Sequence, residues 1–250
     1  MAHQKKRRKA TNPAIDRRVV ELVKSTGISR ALATQVALGR VELNDVLTRM
    51  SHKAEIESLM RRHELSRALA SQVALGQADL ESLLFKRRMA EHLALHSERS
   101  ILVQAQLSAE PLSLALHGQR GVDGVVTKLD RYEFLFEPRG GEAETVHKLQ
   151  VKFAVAADSR KKVRKSLSFD NELRKVPREP VWKPQDRYTC SNRRLFQLCD
   201  RQVAVEVLTL EGDVLRGKVA WVGRFEFGLE VKGGIEVVVF RHALAKLSEA

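Results

Sequence analysis

The sequence predicts an α+β multidomain protein, in which duplicated all-α helical repeats are followed by two small β-barrels, each preceded by a helix. Two observations predict this: a helical unit recurs at an offset of 37 residues, and a strand-rich unit recurs at an offset of 93. The predicted domains are a basic tail at 1–13, a repeat module at 14–90, barrel domains at 91–156 and 191–250, and a poorly folded basic linker at 157–190.

Composition excludes several classes of protein. The chain has 250 residues and a formal net charge of +13. No apolar run approaches the ~18–20 residues of a membrane-spanning helix, and no apolar stretch follows the basic N-terminus as in a secretory signal. The two cysteines form no CxxC pair, which argues against a disulfide scaffold or a zinc site. The sequence therefore predicts a cytoplasmic protein with no membrane segment.

The helical unit is a duplication. Residues 28–47 and 65–84 are identical at 12 of 20 positions. Ser29 and Ser66 are expected to cap a helix in each copy. Gly39 and Gly76 follow these helices, where a left-handed residue commonly ends a helix. Each copy is interpreted as a three-helix unit, and the two copies are expected to pack together.

The strand-rich unit is also a duplication, in exact register. Residues 124–151 and 217–244 match at 9 of 28 positions without a gap. Period-two alternation with glycine breaks predicts short, bent strands. The Gly140-Gly141 and Gly233-Gly234 pairs are placed where hairpins should turn.

The second strand-rich copy, about residues 191–248, resembles the bacterial Hfq branch of the Sm-like (LSm) RNA-binding family. Residues 205–219 follow that family's first two strands. Residues 239–244, Val-Phe-Arg-His-Ala-Leu, match its pattern Val-Tyr-Lys-His-Ala-Ile. The first copy, about residues 98–156, is a degraded relative, because Leu149 stands where the motif has its histidine.

The resemblance implies a five-stranded bent sheet after a helix, closed into a homo-oligomeric ring by pairing strand 4 of one copy with strand 5 of the next. A trimer with both copies in the ring, or a hexamer with one, would satisfy it. The family binds single-stranded, uridine-rich RNA beside its helices. By position, the implied RNA-binding residues are Phe225, Arg224, Arg241 and His242 in the second copy, and Tyr132, Arg131 and Lys148 in the first.

Elementary chemistry fits these roles. Aromatic rings stack on single-stranded bases. An arginine fork contacts phosphate or a base carbonyl, and a histidine bonds a base edge or a ribose hydroxyl. Phe225 and Tyr132 are equally well interpreted as barrel core, and His242 as a histidine of the core or the ring interface.

No catalytic motif is present, so no enzyme activity, cofactor or metal site is expected. The main hypothesis is an RNA chaperone or post-transcriptional regulator. One alternative is a non-catalytic assembly scaffold. Another is a DNA-associated transcriptional regulator that binds duplex through its helical repeats. The repeats at 14–90 are also interpreted as a module for a protein partner, and the basic run at 5–9 as a solvated tail or a phosphate-binding arm.

Overall fold

The computed structural model describes residues 13–176 and 178–250, and this part of the chain is α+β with one large antiparallel sheet. The chain divides into two compact units, which meet in sequence at Phe85 and Lys86. The predicted basic tail lies outside the described residues except for Pro13, which begins the first helix.

The first unit is helical. Its helices are α1 (Pro13–Thr26), α2 (Arg30–Ala37), α3 (Leu43–His63), α4 (Arg67–Ala74) and the beginning of α5 (Leu80–His96). Val19, Ile28 and Val46 form part of a small buried core in the first repeat. In the second repeat, Leu65 and Ala70 are buried.

The predicted helix boundaries are confirmed at both repeats. The hydroxyls of Ser29 and Ser66 accept the N–H groups of Leu32 and Leu69, each at 3.4 Å. Gly39 and Gly76 have φ of +69° and +68°, where a side chain would be strained. The same chemistry therefore ends the same helix twice.

The prediction of two separate three-helix units is wrong in one respect. The third helix of the first repeat and the first helix of the second are one continuous helix, α3. Residues 48–62 contain neither glycine nor proline, so nothing in this stretch interrupts the helix.

The second unit carries the sheet. After the end of α5, its helices are α6 (Ile101–Ser108), α7 (Arg160–Ser166), α8 (Asn171–Arg174) and α9 (Asn192–Asp200). Its strands are β1 (Leu112–Leu116), β2 (Arg120–Leu129), β3 (Glu133–Pro138), β4 (Glu144–His147), β5 (Val151–Ala156), β6 (Ser168–Phe169), β7 (Ala204–Thr209), β8 (Asp213–Val222), β9 (Glu226–Val231), β10 (Ile235–Phe240) and β11 (Leu244–Glu249).

Two sets of five strands share one connectivity. The order in the sheet is β11-β7-β8-β9-β10-β5-β1-β2-β3-β4, with the short β6 added beside β8. The first strand set is β1–β5 and the second is β7–β11. In each set the fifth strand lies next to the first, and strands one to four follow in sequence. The sets are joined where β10 pairs with β5, through Val238 opposite Ala154 and Val239 opposite Phe153.

The two sets also bend in the same way. The register shifts between Val126 and Lys128 in β2 and at the equivalent point of β8. A β-carbon on Gly124 would lie 2.2 Å from the Glu137 carbonyl oxygen, and one on Gly217 would lie 2.3 Å from that of Glu230. The backbones therefore approach too closely for any side chain at these glycines.

Each set has its own apolar core. The first is built around Phe134 and Phe136, with Leu102 of α6 packed against them. The second contains Leu195 and Leu198 of α9 together with Phe227. Each five-stranded set is thus preceded by a helix whose apolar face it buries, as predicted.

The prediction of a poorly folded linker at 157–190 is wrong. The segment contains α7, β6 and α8, and it buries Val163 and Cys190. Its backbone forms hydrogen bonds with residues distant in sequence. For example, the Asp170 N–H donates to the Gly212 carbonyl at 2.8 Å. The basic residues remain on the surface while a few apolar residues anchor the chain. In the described ranges, no helix is long and apolar enough to cross a membrane.

Candidate nucleic-acid interface

The most exposed predicted residues form an arginine–aromatic pair at one turn of each strand set. Tyr132 follows β2 and is 60% exposed, whereas Phe225 follows β8 and is 67% exposed. The guanidinium of Arg131 lies 5.1 Å from the Tyr132 ring centre, and that of Arg224 lies 5.0 Å from the Phe225 ring centre. Neither ring is barrel core, so the core interpretation of Phe225 and Tyr132 is wrong.

The predicted basic residues, Lys148 and Arg241, support these turns from beneath. The Lys148 N–H donates to the Tyr132 carbonyl at 2.8 Å, and the Arg241 N–H donates to the Phe225 carbonyl at 2.9 Å. The Lys148 ammonium also donates to the Asp130 carbonyl at 2.7 Å. The structure therefore brings basic and aromatic residues together twice, in the same way.

The Arg241 guanidinium is bonded to several protein acceptors. Its guanidinium donates to the Asn192 side-chain oxygen at 2.6 Å, to the Arg224 carbonyl at 3.2 Å and to the Cys190 carbonyl. Burial lowers the pKa of Arg241, and burial also lowers that of Lys148. Both cations position the aromatic turns, which leaves Arg131 and Arg224 as the exposed cations of the predicted site.

His242 lies at the junction of the two strand sets. Its Nε2 atom is 2.9 Å from the carbonyl oxygen of Val151, at the start of β5. Its pKa is lowered to about 4, mainly by burial, and the nearby positive charge of Arg187 acts in the same direction. The ring is therefore neutral at physiological pH, and Nε2–H donates to that carbonyl. The ring also interacts with the backbone of Leu149, and this contact, like that with Val151, favours the charged form but is outweighed by burial.

We expect His242 to make stability depend on pH. Its unfolded-state pKa is near 6.5, so between about pH 6.5 and 4 the unfolded chain binds a proton that the folded protein excludes. Relative to His242→Gln, the parent should therefore lose stability as pH falls through this window. Urea unfolding midpoints of parent and variant at several pH values measure the difference. A difference that does not change with pH would contradict the prediction.

Glu226 is a buried carboxyl group that sequence reasoning did not identify, and its pKa is shifted in the opposite direction to that of His242. It is 3% exposed and accepts the Ile101 N–H at the start of α6 at 2.8 Å. Burial raises its pKa to about 7. Relative to Glu226→Gln, the parent should therefore lose stability as pH rises from about 4.5 to 7. The two variants should change the pH dependence in opposite directions where the two windows overlap.

The first strand set lacks the histidine of the second. Leu149 stands there, and the neighbouring His147 uses Nδ1 to accept the Leu149 N–H at 3.1 Å. The His147 ring instead contacts Trp182, 4.8 Å away between ring centres. The two copies therefore present similar turns with different surroundings.

A buried ionic cluster lies where the sets join, and no local sequence pattern predicts it. The Lys152 ammonium in β5 is 2.7 Å from carboxylate oxygens of both Glu211 and Asp213. Glu211 also accepts the N–H groups of Gly118 at 2.9 Å and Arg178 at 3.0 Å. Burial alone would raise the pKa of Glu211, but these donors lower it overall. The cluster ties both strand sets to the segment between them.

The described residues show no group of three or more metal-ligating side chains. The two cysteines, Cys190 and Cys199, are buried and not bonded to each other. Burial raises the pKa of each thiol, which disfavours the reactive thiolate.

Comparison with solved structures shows a distant structural likeness. The crystal structure of the pleiotropic translational regulator Hfq is 19% identical over 23% of this chain and 93% of its own, with a TM-score of 0.22. A likeness of this size carries no functional assignment. No protein-family model matches the sequence, and no curated protein matches it.

Proposed function

We propose that this protein binds single-stranded RNA through Sm-like strand sets and acts as an RNA chaperone or post-transcriptional regulator. The observation that carries the proposal is the repeated arginine–aromatic turn. Two exposed rings, each with a guanidinium beside it, are held at equivalent turns by equivalent hydrogen bonds. Such rings stack on unpaired bases, and arginine contacts phosphate.

Positive charge is spread over both units of the chain. Residues 86–250 contain 29 Lys and Arg against 22 Asp and Glu, and residues 1–85 contain 15 against nine. Five of those 15 are the basic run at 5–9, whereas the helical repeats at 13–85 have ten against nine. Because phosphate binding depends on positive charge, the repeats themselves are disfavoured as a duplex-binding surface and are better interpreted as a module for a protein partner, while the run at 5–9 would serve as a phosphate-binding arm.

Each strand set would make two contacts with RNA. Phe225 or Tyr132 stacks on a base, and Arg224 or Arg131 contacts the adjoining phosphate. In the second set, His242 is bonded to the Val151 carbonyl, and it would contact a uracil edge by exchanging that bond for one to RNA. The first set has Leu149 at this position and should discriminate less between bases.

Binding of fluorescent oligonucleotides tests the proposal. We expect U-rich single-stranded RNA to bind more tightly than A-rich RNA, and duplex DNA to bind most weakly, at a fixed salt concentration. Tighter binding of duplex DNA would favour the DNA-associated regulator. If no nucleic acid binds, the assembly scaffold is favoured. That function would also agree with the hydrogen bonds that Arg241 and His242 make to protein groups.

The sheet edges support a ring. The junction of β10 with β5 joins strand 4 of one set to strand 5 of the other, and the equivalent strands β4 and β11 lie at the two ends of the sheet path. The same pairing between chains would satisfy both edges. Three chains would then supply six strand sets.

We therefore expect a particle three times the mass of the 28.2-kDa chain. Light scattering at micromolar concentration measures it. Replacing Thr145 in β4 with proline removes a backbone donor from that edge and should release smaller species. The matched control is Thr145→Val. A proline elsewhere, such as at exposed Thr48 in α3, would break a helix and cannot serve as the control. A parent that remains monomeric would contradict the ring.

A further inference from the structure

The segment between the strand sets carries an exposed aromatic residue that the repeat pattern does not reveal. Trp182 is 52% exposed, although tryptophan has the largest apolar ring of any side chain. One side of it meets His147, with ring centres 4.8 Å apart at an angle of 62°. His147 directly precedes Lys148, which supports the Tyr132 turn. Trp182 therefore lies against the first strand set, in the sequence neighbourhood of its predicted site.

Arg187 holds the backbone around this ring. Its Nε–H donates to the Val181 carbonyl at 2.9 Å, and its terminal nitrogen donates to the Trp182 carbonyl at 2.7 Å. The same positive charge lies close enough to His242 to lower the pKa of that ring. The backbone of the loop is thus clamped by Arg187, and the Trp182 ring rests against His147 of the first strand set.

We propose that Trp182 is a further base-stacking platform for single-stranded RNA, contributed by the inter-repeat segment. This rests on the proposed function and extends it to a residue outside both strand sets. The clamped backbone lowers the ordering cost of binding, because the ring is presented before RNA arrives. Exposed Lys183 adjoins the ring and adds a cation for the RNA backbone.

Stacking is tolerant of sequence, since every base has a flat face. Trp182 should therefore strengthen binding to U-rich and A-rich RNA by similar factors. Trp182→Ala should weaken both about 5- to 150-fold, the range that one stacked base contributes. Trp182→Phe should recover most of the loss, because phenylalanine still stacks.

The matched control is Phe169→Ala. Phe169 belongs to the same segment and is 38% exposed, but the Arg174 guanidinium covers its ring at 3.7 Å. We expect this variant to bind RNA as the parent does. Melting temperature and particle mass are measured for every variant, so that a folding defect is recognised.

Fluorescence gives a second readout in the full chain. Its two tryptophans differ sharply, because Trp221 is 2% exposed and Trp182 is half-exposed. Acrylamide should quench mainly Trp182 in the free protein, and U-rich RNA should quench its emission and shield it from acrylamide. Both effects should vanish in Trp182→Phe.

The outcomes separate this inference from the proposed function. If the parent binds U-rich RNA but Trp182→Ala binds it equally well, the platform is overturned and the proposed function stands. If Trp182→Ala changes only the particle mass, Trp182 is a contact between chains and the platform is again overturned. If the parent binds no single-stranded RNA, both fail.

Discussion

Replacing Lys152 with methionine is expected to lower the free energy of unfolding by about 3–5 kcal/mol, because it leaves buried carboxylates without their cation. Lys152 is 2% exposed, and its ammonium lies 2.7 Å from both Glu211 and Asp213. The loss of unfolding free energy should be greater at pH 8 than at pH 5, because the carboxylates that have lost their cation take up protons at the lower pH. Urea denaturation at both values measures it.

Arg216→Met is the control for this prediction. The Arg216 guanidinium is 2.7 Å from a carboxylate oxygen of Glu206, but its side chain is 66% exposed. An exposed pair of this kind contributes about 0–1 kcal/mol. Similar losses in the two variants would show that the buried cluster does not hold the strand sets together.

Removing both exposed rings should have the largest effect on RNA binding. Phe225→Ala and Tyr132→Ala should each cost about 1–3 kcal/mol of binding free energy for single-stranded RNA. Because both rings are exposed, the melting temperature should change little. Anisotropy titration of each single variant and of the double variant measures the affinities.

Arg241→Ala is the contrasting variant. It removes the side chain that holds the Phe225 turn through several carbonyl groups, so it should lower the melting temperature as well as the affinity. Folded Phe225→Ala, Tyr132→Ala double variants that bind U-rich RNA as the parent does would contradict the assigned interface.

Sequence periodicity predicted much of the local structure because the determinants lie near in sequence. The Ser29 and Ser66 caps act within three residues, and left-handed glycines end their helices locally. The hairpin turns at Gly140 and Gly233 also follow from short-range alternation. The extent of α3 was missed because the repeat boundary carries no chemical signal to end a helix.

Long-range partners account for what the sequence did not predict. The 157–190 segment is anchored by groups such as Gly212 and Glu211, whose positions no local pattern encodes. The exposed rings of Phe225 and Tyr132 follow from their place in the turns. In contrast, the hydrogen bonds of the Arg241 guanidinium depend on Asn192 and Cys190, which approach it only in the folded chain.

The two end strands, β4 and β11, differ from each other and lie at opposite ends of the sheet path. A contact between them is head-to-tail, and such a contact closes only if the rotation from one chain to the next returns to its start. That rotation depends on the bend at each junction. If the proposed ring forms, substitutions that straighten the β10–β5 junction are therefore expected to replace it with an open filament that grows with protein concentration.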